Sequence, residues 1–279
     1  MTVRIVTDSA ADLPADLAAS RGIEVVPLTV RFGSESYVSG VELGPEEFWT
    51  KLSETHEAPA TAAPSAGDFQ KTFEKLIGDG ATGIVAVLLS SKLSATYQSA
   101  AVAAKEIVGT PVEVFDSLAV SGSTGLLALH AADRADAGAS PAEIVSELEA
   151  LRPRMHLYGV IDTLEYLRLG GRIGGAQALL GTMLKMKPVI GLHDGAVEPV
   201  GRVRTRAKAL EHLAGLVAER KGAIEKLVVL NGAATDVDQL VGLLADVVSV
   251  SPSDVWTLGP IVGTHAGPGV IGVAFIASS

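Results

Sequence analysis

The chain has no cysteine, few aromatic residues and no long hydrophobic run. Its 279 residues include no Cys, and only 4% are Phe, Trp or Tyr. Without cysteine there can be no disulfide, thiol nucleophile or thiolate metal site. The longest apolar runs, such as 84–89 and 270–277, are far too short to span a bilayer, and residues 1–9 lack the pattern of a signal peptide. We therefore expect a cytoplasmic protein with no transmembrane segment.

Basic residues are scarce relative to acidic ones. Lys and Arg total 22 against 32 Asp and Glu, a formal charge of -10. So acidic a chain does not attract phosphate backbones, and it contains no basic stripe interleaved with aromatics, so nucleic acid is not an expected partner. The six histidines lack metal-ligand spacing, and nucleotide-binding glycine loops and the Gly-x-Ser-x-Gly elbow are absent. We expect no metal, no cofactor, and a binding protein rather than a self-sufficient enzyme.

Aliphatic residues are abundant, and they form a pattern of alternating strands and helices. Hydrophobic residues make up 48% of the chain. Short β-branched runs predict strands at 3–7, 23–30, 83–89 and 112–115, with helices between them. Repetition of strand, helix and strand predicts an α/β fold whose parallel sheet is covered by helices on both faces.

The pattern changes after residue 139. An amphipathic helix at 141–151 ends at a proline, and it is followed by strands at 156–161 and 197–202 and a long helix at 205–221. This second part is typical of an α+β unit. We therefore predict two domains, a parallel-sheet N-terminal domain over residues 1–155 and an α+β C-terminal domain over residues 156–279.

Two hydroxyl side chains are candidates for binding an anion. Ligands of open α/β sheets bind beyond the carboxyl ends of strands, and Ser94 lies in the hydroxyl-rich segment 90–96, just after a predicted strand and where a helix begins. Its hydroxyl and the free N–H groups there suit a carboxylate or a phosphate, although helix capping explains a single hydroxyl equally simply. Thr61 lies in a stiff loop between Pro59 and Pro64. A positioning role and a plain connection into the next helix fit Thr61 equally well.

One imidazole and several arginines complete the set of candidates. His265 lies in the Gly- and Pro-rich stretch 259–269, which predicts a loop that fixes the ring, although a purely structural histidine is the alternative. Two glycines before Arg172 break a helix and direct the guanidinium ahead of the next one. Arg204 belongs to the basic cluster 202–206 at a helix start, where positive charge opposes the macrodipole. These arginines predict an anion-facing or partner-facing edge, with solvated surface as the alternative.

Taken in order, the polar motifs resemble the signature of the DegV family. The resemblance runs from residue 3 to about residue 276, and eight ordered motifs are far more specific than any one of them. The matching segments are Thr7-Asp8-Ser9 with Asp12-Leu13, 61–65, 90–100, Asp116-Ser117, 164–173, Lys187-Pro188 with Asp194-Gly195, Arg204-Thr205 and 259–272. DegV proteins bind long-chain fatty acids, and in some bacteria they act as the binding subunit of a fatty-acid kinase.

The resemblance implies a ligand and roles for the candidate residues. It implies a two-domain α/β architecture in which Thr61, Ser94 and His265 hold a fatty-acid carboxylate at the domain junction, with the acyl tail in an apolar tunnel. It also implies that Arg172 and Arg204 face the mouth where a separate ATP-binding kinase subunit docks. A buried carboxylate needs such donors, and we expect the imidazole to be protonated.

Two of the motifs depart from the family pattern. Ala95 stands where the family usually has Gly, which we expect to narrow the backbone approach to the ligand, and the Ala pair at 62–63 replaces a more polar Ser-Gln pair. Two other functions remain open at this point. One is an enzyme or phosphotransfer-type protein that uses His265 on a small carbonyl substrate. The other is a regulatory module that senses lipid and binds another protein.

Overall fold

Three β-sheets organise the part of the chain that the structure describes, which is residues 2–55, 58–182 and 186–278 of a computed structural model. Their strands are β1 (Val3–Asp8), β2 (Ile23–Val26), β3 (Thr29–Phe32), β4 (Glu35–Val38), β5 (Ala60–Ala62), β6 (Gly83–Leu88), β7 (Val112–Asp116), β8 (Met155–Val160), β9 (Lys187–His193), β10 (Ala196–Val203), β11 (Ile224–Gly232), β12 (Val255–Thr257) and β13 (Val270–Ala277).

Ten α-helices are found among the described residues, and none of them has the length and apolar character needed to cross a bilayer. They are α1 (Ala15–Ser20), α2 (Pro45–Glu54), α3 (Ala66–Gly78), α4 (Thr96–Glu106), α5 (Gly122–Asp136), α6 (Pro141–Leu151), α7 (Glu165–Leu169), α8 (Arg206–Ala218), α9 (Val237–Leu244) and α10 (Pro260–Ala266).

The first sheet is parallel and has the strand order β2-β1-β6-β7. All six residues of β6 are buried, as expected for a strand covered on both faces. Alternate side chains point to opposite faces, so that Ile84 packs with Phe69 and Phe73 of α3, whereas Val85 packs with Leu127 of α5. The predicted parallel sheet with helices on both faces is confirmed.

The second sheet is mixed and has the strand order β10-β9-β8-β13-β11-β12, with every pair antiparallel except β11 and β12. One face packs against α8 and α9. The other faces α5, where a Cβ on Gly122 would lie 2.8 to 3.2 Å from side chains of Val228, Leu230 and Ala274. Because α5 also contacts β1 and β6, this one helix is shared by both sheets. The predicted domain boundary falls at the start of β8 and stays a prediction.

The stretch 23–30, predicted as one strand, is two strands in different sheets. Pro27 lies between β2 and β3 and has no N–H to donate to a ladder. The third sheet, β4-β3-β5, is antiparallel. Thr61 lies in β5 opposite Val30. The prediction that Thr61 occupies a loop is therefore wrong, and the strand pairing fixes its position.

The loop predicted around His265 is also wrong, because residues 260–266 form α10. Pro260 occupies the first turn, where its fixed φ suits a helix. Gly263 lies so close to Phe48 and Trp49 that a Cβ would overlap with their rings. Gly267, at φ 77, then ends the helix. Pro260 thus begins the helix, Gly263 allows close packing, and Gly267 ends the helix.

Candidate functional site

A cavity lies between the carboxyl end of the first sheet, the second sheet and α10. The space open to the centre of a water molecule within it is about 130 Å³, roughly ten times what one water needs. Of the 26 described residues that line it, 20 are Ala, Gly, Ile, Leu or Val. Leu89 follows β6, Leu157 lies on β8, and Ile261 lies on α10. A wall of this kind suits an apolar ligand better than water.

Several polar side chains lie in this wall. Thr61 Oγ1 lies 2.9 Å from His265 Nε2. Arg172 Nε donates to the carbonyl oxygen of Leu93, the residue before Ser94, at 2.9 Å, and the Arg172 cation is close enough to lower the pKa of His265. The structure therefore brings Thr61, Ser94, His265 and Arg172, which are far apart in the sequence, to one cavity.

His265 is neutral at pH 7 in this structure. Burial, with a smaller contribution from the Arg172 cation, lowers the pKa of His265 from 6.5 to about 4. Both influences oppose a second proton on the ligand-free ring, and the protonated imidazole expected beside a bound carboxylate stays a prediction. A neutral imidazole offers one N–H donor and one acceptor nitrogen.

The surroundings of the ring decide which nitrogen carries the proton. Nδ1 of His265 is buried and has no hydrogen-bond partner among the residues that the structure describes. An N–H group there would be an orphaned buried donor, which folded proteins rarely contain. We therefore assign the proton to Nε2, which then donates to Thr61 Oγ1. The hydroxyl group of Thr61 can therefore donate its own proton to a ligand, while the hydrogen bond from His265 fixes the position of this hydroxyl.

Gly170 packs directly against the imidazole. A Cβ at this position would overlap with Nδ1 of His265. The carbonyl oxygen of Gly170 accepts a hydrogen bond from Nη1 of Arg172 at 2.6 Å. α7 ends at Leu169, and Gly171 has φ 69, which confirms that the two glycines end a helix before Arg172. Gly170 thus positions both the ring and the guanidinium.

Ser94 bonds the first residue of α4 and also lies in the cavity wall, and its role in binding an anion stays a prediction. Its Oγ accepts from the backbone N–H of Thr96, the first residue of α4, at 3.3 Å, and it lies 2.8 Å from Thr96 Oγ1. It also lines the cavity. The neighbouring Ala95 is exposed, has an ordinary φ of -76 and is not part of the wall. The expected narrowing at Ala95 is therefore wrong.

Arg204 is not brought to the cavity. It is exposed, directly follows β10, and is absent from the described wall. Arg206, in the same basic cluster, forms ion pairs with Asp236 at 2.7 Å and Asp162 at 3.4 Å. The cluster therefore lies at the surface, and Arg172 is the arginine that faces the cavity.

Sequence reasoning missed Ser121, which lines the cavity and is buried. Its Oγ donates to Asp12 Oδ2 at 2.6 Å. Burial raises the pKa of Asp12 to about 7, although hydrogen bonds from Ser121 and from the backbone of Gly259 oppose the rise. Burial likewise raises the pKa of Asp8 to about 6. The sequence offered one signal, since Ser121 follows β7 at the carboxyl edge of the parallel sheet.

Nothing in the described part of the chain resembles a metal centre. Those residues contain no group of three or more His, Cys, Asp or Glu side chains placed to hold an ion. The chemistry that the cavity offers is therefore hydrogen bonding to an anion, from hydroxyl, imidazole and guanidinium groups, beside a large apolar surface.

Comparisons with known proteins agree over the whole chain. Residues 2–278 match the family model described as "Uncharacterised protein, DegV family". A DegV domain-containing protein of Streptomyces coelicolor is 37% identical over 277 residues, 97% of each chain. A DegV family protein from Thermus thermophilus, whose structure is described as fatty acid binding, is 37% identical with a TM-score of 0.91 over 100% of both chains. DegV of Bacillus subtilis, described as a fatty acid binding protein, is 28% identical with a TM-score of 0.87 over 100% of both chains.

Proposed function

The chain belongs to the DegV family, and from this premise we propose that it binds a long-chain fatty acid in the cavity next to α10. The observation that carries the proposal is the Thr61–His265 pair, which presents a hydroxyl donor at the wall of an otherwise apolar space. The solved structures from Thermus thermophilus and Bacillus subtilis are both described as fatty acid binding, which supports the same ligand class.

The carboxylate of the acid would lie against Thr61 and Ser94. A buried carboxylate is costly unless donors surround it, and hydrogen bonds to an ionised group are the stronger kind. Thr61 donates its free proton, His265 orients Thr61 from behind, and the Arg172 cation lies close by. The negative charge of the ligand would also favour the charged imidazole, raising the pKa of His265 against the effects of burial and Arg172.

The acyl tail would supply the affinity. Each buried methylene contributes about 0.8 kcal/mol, so that a dozen contribute roughly 10 kcal/mol. Association costs about 4 to 15 kcal/mol in lost freedom, which is of the same order as the gain from the tail. The head-group contacts then determine orientation, and the formal charge of -10 is no obstacle because apolar transfer does not depend on net charge.

We further propose that the protein is not itself an enzyme but presents its ligand to a separate ATP-binding kinase subunit. A carboxylate oxygen would attack the γ-phosphoryl group of ATP, giving an acyl phosphate and ADP, with Arg172 and Arg204 facing the partner and stabilising the transferred charge. Arg172 lines the cavity and Arg204 is exposed, which suits contact with the bound acid and with a partner, respectively. The need for ATP places this step in the cytoplasm.

An enzyme that uses His265 on a small carbonyl compound has less support. A histidine base is normally oriented by an acceptor on its other nitrogen. Among the described residues, Nδ1 of His265 has no hydrogen-bond partner, and Nε2 is engaged with Thr61.

The direct test of the proposed function is lipid analysis of the purified protein. Denaturation followed by mass spectrometry of the organic extract should recover close to one acyl chain per protein. Recovery of no stoichiometric acyl chain, together with no binding of added fatty acid, would contradict the proposal.

The kinase step has its own test. With a bacterial fatty-acid kinase subunit, ATP and fatty acid, the protein should support formation of acyl phosphate, and Arg172→Ala should lower the rate. Arg4→Ala is the matched control, because Arg4 lies on β1 and bonds the carbonyl oxygen of Gly22 at 3.4 Å, away from the cavity. An unchanged rate for Arg172→Ala would remove that role.

A further inference from the structure

Ser121 is a polar residue that lines the cavity and lies outside the set proposed to bind the head group. It is bonded to Asp12, which accepts the backbone N–H of Gly259 at 2.8 Å at the start of α10. His265 lies six residues further along the chain, about 9 Å along the helix axis at 1.5 Å per residue. Ile261 and Val262, between them, also line the cavity. A tail that runs along α10 from His265 would therefore reach Ser121 partway along its length.

The hydrogen bonds of Ser121 determine which group it can recognise. A serine hydroxyl has one proton to donate and two positions that accept. When Asp12 is ionised, the proton is committed to Asp12 Oδ2 at 2.6 Å, and no donor approaches Oγ from any residue that the structure describes. The wall therefore presents an acceptor, not a donor, and a ligand group that satisfies it must carry a proton.

The backbone of Ser121 indicates that its side chain is used. Its φ of 57 and ψ of -144 fall where essentially only glycine is relaxed, and such strain persists at functional positions that their surroundings fix. The backbone N–H of Ser121 donates to the carbonyl oxygen of Ala10 at 2.7 Å, which holds this conformation. Glycine would fit the same path without strain but would leave neither a partner for Asp12 nor an acceptor in the wall.

We propose that Ser121, held by Asp12, is a recognition site for a hydroxyl group on the acyl chain, so that the ligand class includes a fatty acid hydroxylated partway along its tail. The inference rests on the proposed function. The ligand hydroxyl donates to Ser121 Oγ. A keto or epoxide oxygen at the same place is itself an acceptor and cannot form a hydrogen bond with Ser121 Oγ, so we expect a keto or epoxy acid to bind more weakly.

The test is a comparison of dissociation constants for octadecanoic acid and its monohydroxylated positional isomers. Binding is measured at about pH 9, where a group with a pKa near 7 is ionised. One isomer, or two neighbouring isomers, should bind at least as tightly as the unsubstituted acid. The others should bind about tenfold more weakly or worse, because their hydroxyl is buried without a partner.

Three variants assign the effect to Ser121. Ser121→Ala should weaken the favoured isomer about tenfold relative to octadecanoic acid, and Ser121→Gly, which suits the backbone, should do the same if the alanine variant does not fold. Ser123→Ala is the matched control and should keep the ratio. Ser123 lies two residues away, is buried, bonds the carbonyl oxygen of His156 at 3.4 Å and does not line the cavity.

Asp12→Asn tests the direction of the hydrogen bond. The amide would donate to Ser121 Oγ and free the serine proton. An octadecanoic acid with a keto group at the favoured position should therefore gain affinity relative to the favoured hydroxy acid. If octadecanoic acid itself does not bind, the proposed function fails. If it binds but every hydroxy isomer is weaker by a similar factor and Ser121→Ala changes no ratio, the hydroxyl site is overturned while fatty-acid binding stands.

Discussion

Replacing Thr61 with valine tests the proposed head-group contact. The change keeps the branched shape and removes the hydroxyl that His265 orients. A hydrogen bond to a charged group contributes about 1.5 to 3 kcal/mol. Since every 1.4 kcal/mol is a factor of ten, the dissociation constant for a long-chain fatty acid should rise about 10- to 150-fold.

The assay is displacement of a fluorescent fatty acid, carried out with the acid and with its methyl ester. The ester has no charge, so its hydrogen bond to Thr61 is an ordinary one of about 1 kcal/mol. Losing this bond in Thr61→Val should raise the dissociation constant of the ester only about fivefold. Thr50→Val is the control, because Thr50 is an exposed residue of α2 and donates to the carbonyl oxygen of Glu46. Equal affinity of wild type and Thr61→Val for the acid, or equal losses for acid and ester, would refute the role of Thr61.

Three further changes follow from the same geometry. Gly170→Ala fits the local backbone at φ -75 but displaces the ring of His265, so fatty-acid binding measured by the same displacement should weaken by about tenfold, whereas Gly78→Ala, which meets nothing within 4 Å, should not. Gly159→Leu should fill part of the cavity, since a Cβ there meets a single carbonyl oxygen at 3.7 Å, and mass spectrometry should find shorter acyl chains in the extract. Because burial raises the pKa of Asp12 from 3.8 to about 7, its contribution to stability is present below its unfolded pKa and is lost as pH rises through 7. Asp12→Asn should therefore gain about 4 kcal/mol over wild type in urea unfolding between about pH 4 and about pH 9, at 1.36 kcal/mol per pKa unit.

Each of these has a contradicting result. Unchanged binding by Gly170→Ala would show that the position of His265 does not matter. An unaltered chain-length distribution for Gly159→Leu would show that the tail does not pass β8. Parallel pH profiles for wild type and Asp12→Asn would show that Asp12 does not titrate differently in the folded state.

The parallel sheet was predictable because its signals are local. Each buried strand, such as β6, is a continuous apolar run, and alternation with helices implies the topology. Thr61 was assigned to a loop because the prolines on either side suggest one, and its three-residue strand exists only through pairing with β3. That pairing depends on residues about thirty positions earlier, which no local pattern reports.

The site was only partly predictable, for the same reason. The Gly- and Pro-rich stretch 259–269 singled out His265 and the ordered motifs implied its role, but α10 was not expected, since such a composition is typical of loops. Gly263 is there to admit Phe48 and Trp49, a tertiary contact. The Asp12–Ser121 hydrogen bond joins residues 109 positions apart, so no local pattern in the sequence could predict this contact.

The sharing of α5 between the two sheets bears on how the chain matures during synthesis. Ten of its fifteen residues are buried, and the side chains that Gly122 packs against come from β11 and β13, which are synthesised long after α5. A nascent chain that ends near residue 155 therefore leaves uncovered the face of α5 that packs on the second sheet. Exposed apolar surface of this kind recruits chaperones. Residues of β8, β9 and β13 line the cavity, so it can enclose a ligand only after these strands have docked.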